Sequence, residues 1–300
     1  MLGIFMSGVM KIYGLIGRAV NYSYSPLIHN TAFEQLELPC RYTIFNIAEE
    51  TLVADALKGA RALGIAGFSV TIPYKTTVVP LMDSLSEEAQ SIQAVNTIVN
   101  HEGTLFGHNT DIAGFAAPLL PHAEFIKGRP VAILGSGGAS RAAIEAFRRQ
   151  FSPSAITLFM RNPKRKDAFS ECYITESAVN RCALDDLKVN GSDASAILRN
   201  SAVVVNATPV GTLGRPDSNL SPVPTGNNLL HDGQIIYDMV YNPIDTPLLL
   251  AAKKAGAMTI PGMEMLLAQG AAAFRLWTGL EMPVEAVRRV LLHEIGETAV

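Results

Sequence analysis

Residues 131–143 read VAILGSGGASRAA: an apolar run, three glycines within four positions, then a stretch of helix formers. A short apolar run that ends at glycine suits a buried strand. The glycines suit a turn so tight that the backbone can approach a ligand closely. A helix starting at such a turn points its N–H groups and the positive end of its dipole at whatever binds there, which favours a pyrophosphate. Gly135 and Gly137 fill the first two small positions of a dinucleotide fingerprint, and Ser140 stands at the third. Glycines can serve turn geometry alone, but the flanking strand and helix favour the nucleotide reading.

The next predicted strand, AITLFM (155–160), sharpens this reading. A site for NAD usually offers an acid to the ribose hydroxyls near the end of this strand, about 20 residues beyond the glycines. Here the sequence continues RNPKRK, with no acid and four basic residues among positions 161–166. Arg161 and Arg165 are planar donors suited to a 2′-phosphate dianion. A solvated basic turn would read the same way; together with the glycine turn the pattern favours NADP(H) over NAD.

Strand and helix patterns alternate along the whole chain, which predicts an α/β protein with mostly parallel sheets. Strands are expected at 11–17, 41–47 and 67–72, and as a hairpin around the His-Glu-Gly turn at 101–103. A helix is expected over 26–37, with Ser25 as its N-cap and Pro26 at its first position. Another is expected over 49–63, ending near Gly64. A second series follows, with strands at 131–135, 155–160, 202–207 and 234–240 and a strongly helical stretch from Gly262. We therefore expect two α/β domains with the break near residues 111–113; periodicity leaves open whether the final helices pack back onto the first. The stretch 209–231, rich in Pro, Gly, Ser and Asn, reads as a long loop of the kind that often forms a functional flap.

Composition excludes several classes. A chain of 300 residues with 48% hydrophobic and 17% charged residues is an ordinary globular protein. A net charge of −3 gives no basic field for nucleic acid or an anionic membrane. Cys40, Cys172 and Cys182 show neither disulfide nor metal spacing, which suits a reducing cytoplasmic setting. The apolar start lacks a basic n-region and is broken by Lys11, so residues 1–9 are read as an extension rather than a targeting segment. The six histidines form no ligand pattern, and no metal is expected. His29 is read as a packed or capping residue.

The first half carries polar residues at strand ends and turns. They are Ser23 and Ser25 in NYSYSPLIHN, Ser69, Thr71 and Lys75 in GFSVTIPYK, Asn96 in AVNTIV, and Asn109 and Asp111 in GHNTD. Taken singly, each has an ordinary structural role as cap, turn residue or solvated charge. Taken together, all but Asn96, which opens a strand, fall where open α/β sheets bind small ligands. Hydroxyls, amides, a lysine and an aspartate suit a small polyhydroxylated acid.

At this point the sequence resembles the shikimate dehydrogenases. The resemblance runs through SYSPLIHN, VTIPYK, AVNT, GHNTD, GSGGASRA, MRNPKR, NATPVG, YDMVYNP and MLLAQGAAAF, nearly the whole chain. It implies a substrate domain of residues 1–111 with 264–300 and a Rossmann-type NADP(H) domain of residues 112–263, with the C-terminal helices returning to the first. It implies reversible reduction of 3-dehydroshikimate to shikimate, a step of aromatic amino acid biosynthesis, and Lys75 and Asp111 as the catalytic pair. Ser23 and Ser25 would hold the substrate carboxylate, and Thr71, Asn96, Tyr241 and Gln269 would line the substrate site. The cofactor would lie on Gly135, Ser136, Gly137, Gly138 and Ala139, with Arg161, Asn162, Arg165, Thr208 and Gly262 as further contacts. The implied partner is a small molecule, with neither nucleic acid nor membrane; a homodimer is compatible with it.

Two positions depart from the family pattern. Ser69 stands where many members have a substrate-contacting asparagine, although the plant bifunctional relatives also read GFSV. Met160 replaces the asparagine common before the cofactor arginine. Ser69 keeps quinate/shikimate and aminoshikimate dehydrogenases as alternatives, and a non-catalytic NADP sensor is a further one. On the C-terminal helix, Met263, Leu266, Leu267, Gly270, Phe274 and Trp277 follow helical spacing and are read as core.

Overall fold

The computed structural model describes residues 9–164, 179–189, 191–224 and 228–298. The chain forms two compact units, one running to Thr110 and resuming at Gln269–Thr298, the other spanning Asp111–Ala268.

The first unit is a six-stranded mixed sheet. Its strands are β1 (Lys11–Gly17), β2 (Cys40–Asn46), β3 (Gly67–Val70), β4 (Ser84–Leu85), β5 (Thr97–His101) and β6 (Thr104–His108). Their order is β2-β1-β3-β5-β6-β4. β1 pairs in parallel with both β2 and β3, whereas the β5–β6 hairpin runs antiparallel. Glu102 and Gly103, at the hairpin turn, both have positive φ, as a tight two-residue connection requires. Helix Val53–Leu63 ends at Gly64 in the left-handed conformation that glycine tolerates best. Ile16, Leu57, Phe68, Val70, Tyr74, Val95 and Ile98 form the core beneath the sheet.

Two local readings are corrected. Ser25 is the first residue of helix Ser25–Gln35 and not its cap; Tyr24 holds the cap position without a side-chain bond. Ser23 Oγ, one residue further out, accepts the Ser25 N–H at 3.2 Å and so takes over part of the capping work. The third strand stops at Val70, because Thr71 turns the chain by accepting the Tyr74 N–H at 2.9 Å.

The second unit is a six-stranded parallel sheet of β7 (Pro130–Leu134), β8 (Ala155–Met160), β9 (Val179–Ala183), β10 (Val203–Asn206), β11 (Ile235–Asp238) and β12 (Met258–Ile260). Its order, β12-β11-β10-β7-β8-β9, has the reversal of a doubly wound Rossmann sheet, with the switch between β7 and β10. Val131–Leu134 and Val203–Asn206 are all buried, as strands covered on both faces must be. Helix Gly138–Ala146 leaves the glycine turn and passes into a single π-turn at Phe147–Phe151. The described residues of the 209–231 loop contain turns and no helix or strand.

Candidate active site

In the second unit the geometry converges on the sheet's switch point. Gly135 follows β7 directly, with φ +109, and its N–H donates to the Phe159 carbonyl at 2.8 Å. A Cβ on Gly135 would stand 2.9 Å from the Ala207 carbonyl and 3.0 Å from Thr208 Cγ2. Gly135 and Thr208, far apart in sequence, are therefore neighbours. Gly137 and Gly138 differ: a Cβ on either would meet nothing within 4 Å. The space over the helix start is open, and Ser136, Gly137 and Gly138 are exposed while Ala139 is half-buried. A cradle of this shape accepts a pyrophosphate, so the residues present fit a dinucleotide.

Arg161 is exposed immediately after β8, whose preceding Phe159 bonds Gly135, so a planar cation stands at the same sheet edge as the cradle. Asn162 Oδ1 accepts the Lys164 N–H at 3.1 Å, which fixes the turn. Arg165 lies outside the described residues. Gly262 has a packing reason of its own, since a Cβ there would stand 2.5 Å from the Val240 carbonyl.

Behind Thr208 is a buried polar network that sequence reading did not single out. Thr208 Oγ1 and N–H both donate to Asn206 Oδ1, at 2.6 and 2.9 Å. Asn206 Nδ2 donates to Asp238 Oδ1 at 2.9 Å, and Thr246 Oγ1 donates to Asp238 Oδ2 at 2.6 Å. Burial pushes the Asp238 carboxyl up from 3.8 to about 6, against the pull of the Thr246, Val240 and Asn206 bonds. The available signal was a polar residue closing each of two otherwise apolar strands, VVVN and IIYD.

In the first unit, Ser23 Oγ donates to Ser25 Oγ at 3.1 Å, so the two hydroxyls form one patch at the helix start. Thr71 N–H donates to the Ile16 carbonyl at 2.9 Å, and Ser69 and Thr71 are half-buried at the end of β3. Lys75, also half-buried, follows the fully buried Tyr74, whose hydroxyl donates to the Ile47 carbonyl at 2.7 Å. The Lys75 carbonyl accepts the Val95 N–H at 2.8 Å. The next residue, Asn96, is buried; its Oδ1 accepts the Thr110 N–H at 2.8 Å and its Nδ2 donates to Thr110 Oγ1 at 3.0 Å. Asn109 Nδ2 anchors the same corner on the Ala94 carbonyl at 2.9 Å. The backbone of Lys75 is thus tied through Val95 and Asn96 to the residue just before Asp111. Gln269 is half-buried beside Gly270, whose nearest neighbour in the helix Ser25–Gln35 is Ile28. Asp111 and Tyr241, both half-buried, fall in the second unit.

His29 is a packed residue. It stacks on Tyr42 at 4.6 Å between ring centroids, and burial pushes its imidazole down from 6.5 to about 3. Met263, Leu267, Phe274 and Trp277 are buried as expected, and Leu266 is half-buried. Tyr42 itself was missed by the sequence reading. It is 2% exposed, and its hydroxyl lies beside Ser25 and Ser69 without a well-formed hydrogen bond to either. Among the described residues, no group of three or more His, Cys, Asp or Glu could hold a metal ion. No described helix is long and apolar enough to cross a membrane.

A Rossmann sheet with an open glycine cradle, joined to a mixed α/β unit rich in hydroxyl and amide groups, defines a two-unit nucleotide-dependent oxidoreductase architecture. Residues 15–98 match the shikimate dehydrogenase substrate binding domain, and residues 262–292 match the shikimate 5'-dehydrogenase C-terminal domain. The chain is 78% identical over 295 residues to the shikimate dehydrogenase (NADP(+)) of Chlorobium phaeovibrioides, covering 98% of this chain and 100% of that one. Shikimate 5-dehydrogenase from Listeria monocytogenes, solved with shikimate and NAD, superposes with a TM-score of 0.83 at 32% identity, covering 97% and 99% of the two chains. The Thermus thermophilus enzyme, solved with NADP(H) and shikimate, gives 0.77 at 34% identity, covering 94% of this chain and 100% of that one. The chain belongs to the shikimate dehydrogenase family.

Proposed function

We propose that this chain interconverts shikimate and 3-dehydroshikimate with NADP(H), the first unit holding the substrate and the second the cofactor. The observation that carries the reading is likeness to an NADP-dependent shikimate dehydrogenase along nearly the full length of both chains. Gly135–Ala139 would hold the cofactor and Arg161 would meet its 2′-phosphate; when bound, the cofactor would supply or accept the hydride. The chain must orient the substrate and manage one proton. Ser23 and Ser25 offer two O–H donors to the substrate carboxylate. Thr71, Asn96, Tyr241 and Gln269 line the ring hydroxyls, with Ser69 beside them.

As a carbonyl is reduced, negative charge grows on its oxygen. Lys75 donates a hydrogen bond and then a proton there, and Asp111 completes the proton path. In the oxidative direction the same pair takes the hydroxyl proton as the hydride leaves the carbon. The tie from Lys75 through Val95 and Asn96 to Thr110 supports this role, because it holds the backbone at Lys75 and at the residue before Asp111. Cys40 and Cys182 are free thiols, which supports a reducing cytoplasmic location.

Lys75→Ala tests the assignment. Turnover is expected to fall by about 10²–10⁴ while NADPH binding is retained. A near-normal rate would reject Lys75 as a catalytic residue.

A further inference from the structure

Tyr42 lies on β2, and its backbone is clamped to helix Ser25–Gln35. Its N–H donates to Asn30 Oδ1 at 2.8 Å, and its carbonyl accepts from Asn30 Nδ2 at 3.0 Å. Its ring is held by stacking on His29 and lies 5.9 Å from the Trp277 ring. Both groupings fix where the hydroxyl points. That hydroxyl is buried, lies beside the Ser69 side chain and backbone and the Ser25 side chain, and makes no well-formed hydrogen bond to any of them. Most buried hydroxyls avoid being left so.

In the structure Ser25 Oγ accepts its hydrogen bond from Ser23 Oγ. A carboxylate arriving at the patch takes only donors, so both serine O–H groups must turn to it. Ser25 Oγ then loses the bond that Ser23 supplied, and the phenol is the neutral donor beside it.

We propose that Tyr42 is a positioning residue for substrate: on carboxylate binding its O–H donates to Ser25 Oγ, completing a chain from Tyr42 through Ser25 to the carboxylate. The inference rests on the substrate reading above. Donating to an oxygen that itself donates to an anion strengthens the outer bond, so Tyr42 acts on shikimate without touching it. The same hydroxyl borders Ser69, which joins both serines to one buried donor.

The test is steady-state kinetics and thermal melting of the full chain as wild type, Tyr42→Phe, Ser25→Ala and the double variant. Shikimate is varied at saturating NADP, and NADP at saturating shikimate. Tyr42→Phe is expected to raise the shikimate KM about fivefold to tenfold, leaving the NADP KM unchanged. The double variant is expected to be no worse than Ser25→Ala alone, because the two groups act in series. An unchanged shikimate KM with a raised melting temperature would overturn the inference and mark the hydroxyl as a tolerated defect. A lower melting temperature with both KM values disturbed would mark a packing role and overturn it equally. Absence of shikimate turnover in the wild type would overturn the substrate reading itself, and this inference with it.

Discussion

Trp277 Nε1 donates to the Ile98 carbonyl at 3.0 Å, joining helix Gly262–Thr278 to strand β5 across 179 residues of chain. The indole packs tilted against Tyr13 with ring centroids 5.0 Å apart, and the Tyr13 hydroxyl donates to the Trp277 carbonyl at 3.3 Å. These bonds place the residues from Gln269 onward in the first unit. Trp277→Phe keeps an aromatic ring but leaves the Ile98 carbonyl without this donor. The variant is expected to lose about 1–3 kcal/mol in urea unfolding, with NADP affinity unchanged. Full wild-type stability would mean the bond contributes nothing.

His29 makes the native state acid-sensitive. Its folded value, about 3, lies below the ordinary 6.5, and its Nδ1 has no hydrogen-bond partner. The unfolded chain therefore takes up a proton that the fold refuses. Stability from this group is complete above pH 6.5 and is lost as pH falls from there toward 3. Denaturant midpoints for wild type and His29→Gln at pH 7 and 4.5 check it. The wild type should lose more on acidification than the variant, and parallel losses would contradict the assignment.

Asp238 works in the opposite direction. Its folded value, about 6, lies above the ordinary 3.8, so the fold favours the protonated form. Its contribution to stability falls as pH rises from 3.8 to about 6 and is flat above that. Asp238→Ala removes this pH term but strips an acceptor from Asn206, Val240 and Thr246. A loss of about 3 kcal/mol or more is expected at pH 7, since buried donors are left unpaired. Because Asn206 orients Thr208, the NADP KM should rise too. A variant with changed stability and an unchanged NADP KM would confine the network to folding.

The glycines of the turn separate into two kinds. Gly135→Ala forces a Cβ against the Ala207 carbonyl at positive φ and is expected to destabilise the fold by about 1–3 kcal/mol. Gly137→Ala enters open space, so its stability should stay within about 0.5 kcal/mol of wild type. Its NADP KM should nevertheless rise about tenfold or more if the proposed cradle holds the cofactor, because the methyl group would then take up the cofactor's space. Melting temperatures and NADP titrations of the two variants distinguish these effects. An unchanged NADP KM in Gly137→Ala would contradict the cradle.

The strands β1, β7 and β8 were legible to within a residue, because each is an apolar run closed by a glycine or by charge. β12, only Met258–Ile260, was too short to show a period. Helix Asp193–Asn200 was missed despite its Ser192 cap, because eight residues carry barely two turns of pattern. In the candidate site, the glycine cradle was legible as a local motif. Tyr42 and Asp238 were not. Whether a buried hydroxyl or carboxylate finds a partner depends on which distant strands become neighbours, and no local spacing records that. Ser25 shows the same limit in miniature, since the competition for its N–H was decided by Ser23.

The most direct test of the account is the initial rate of NADPH formation from shikimate and NADP, with quinate and NAD substituted in parallel. The account predicts fast turnover with shikimate and NADP, and much slower turnover with either replacement. Negligible NADPH from shikimate, with NADP still bound tightly, would contradict the proposed substrate and leave only the cofactor half standing.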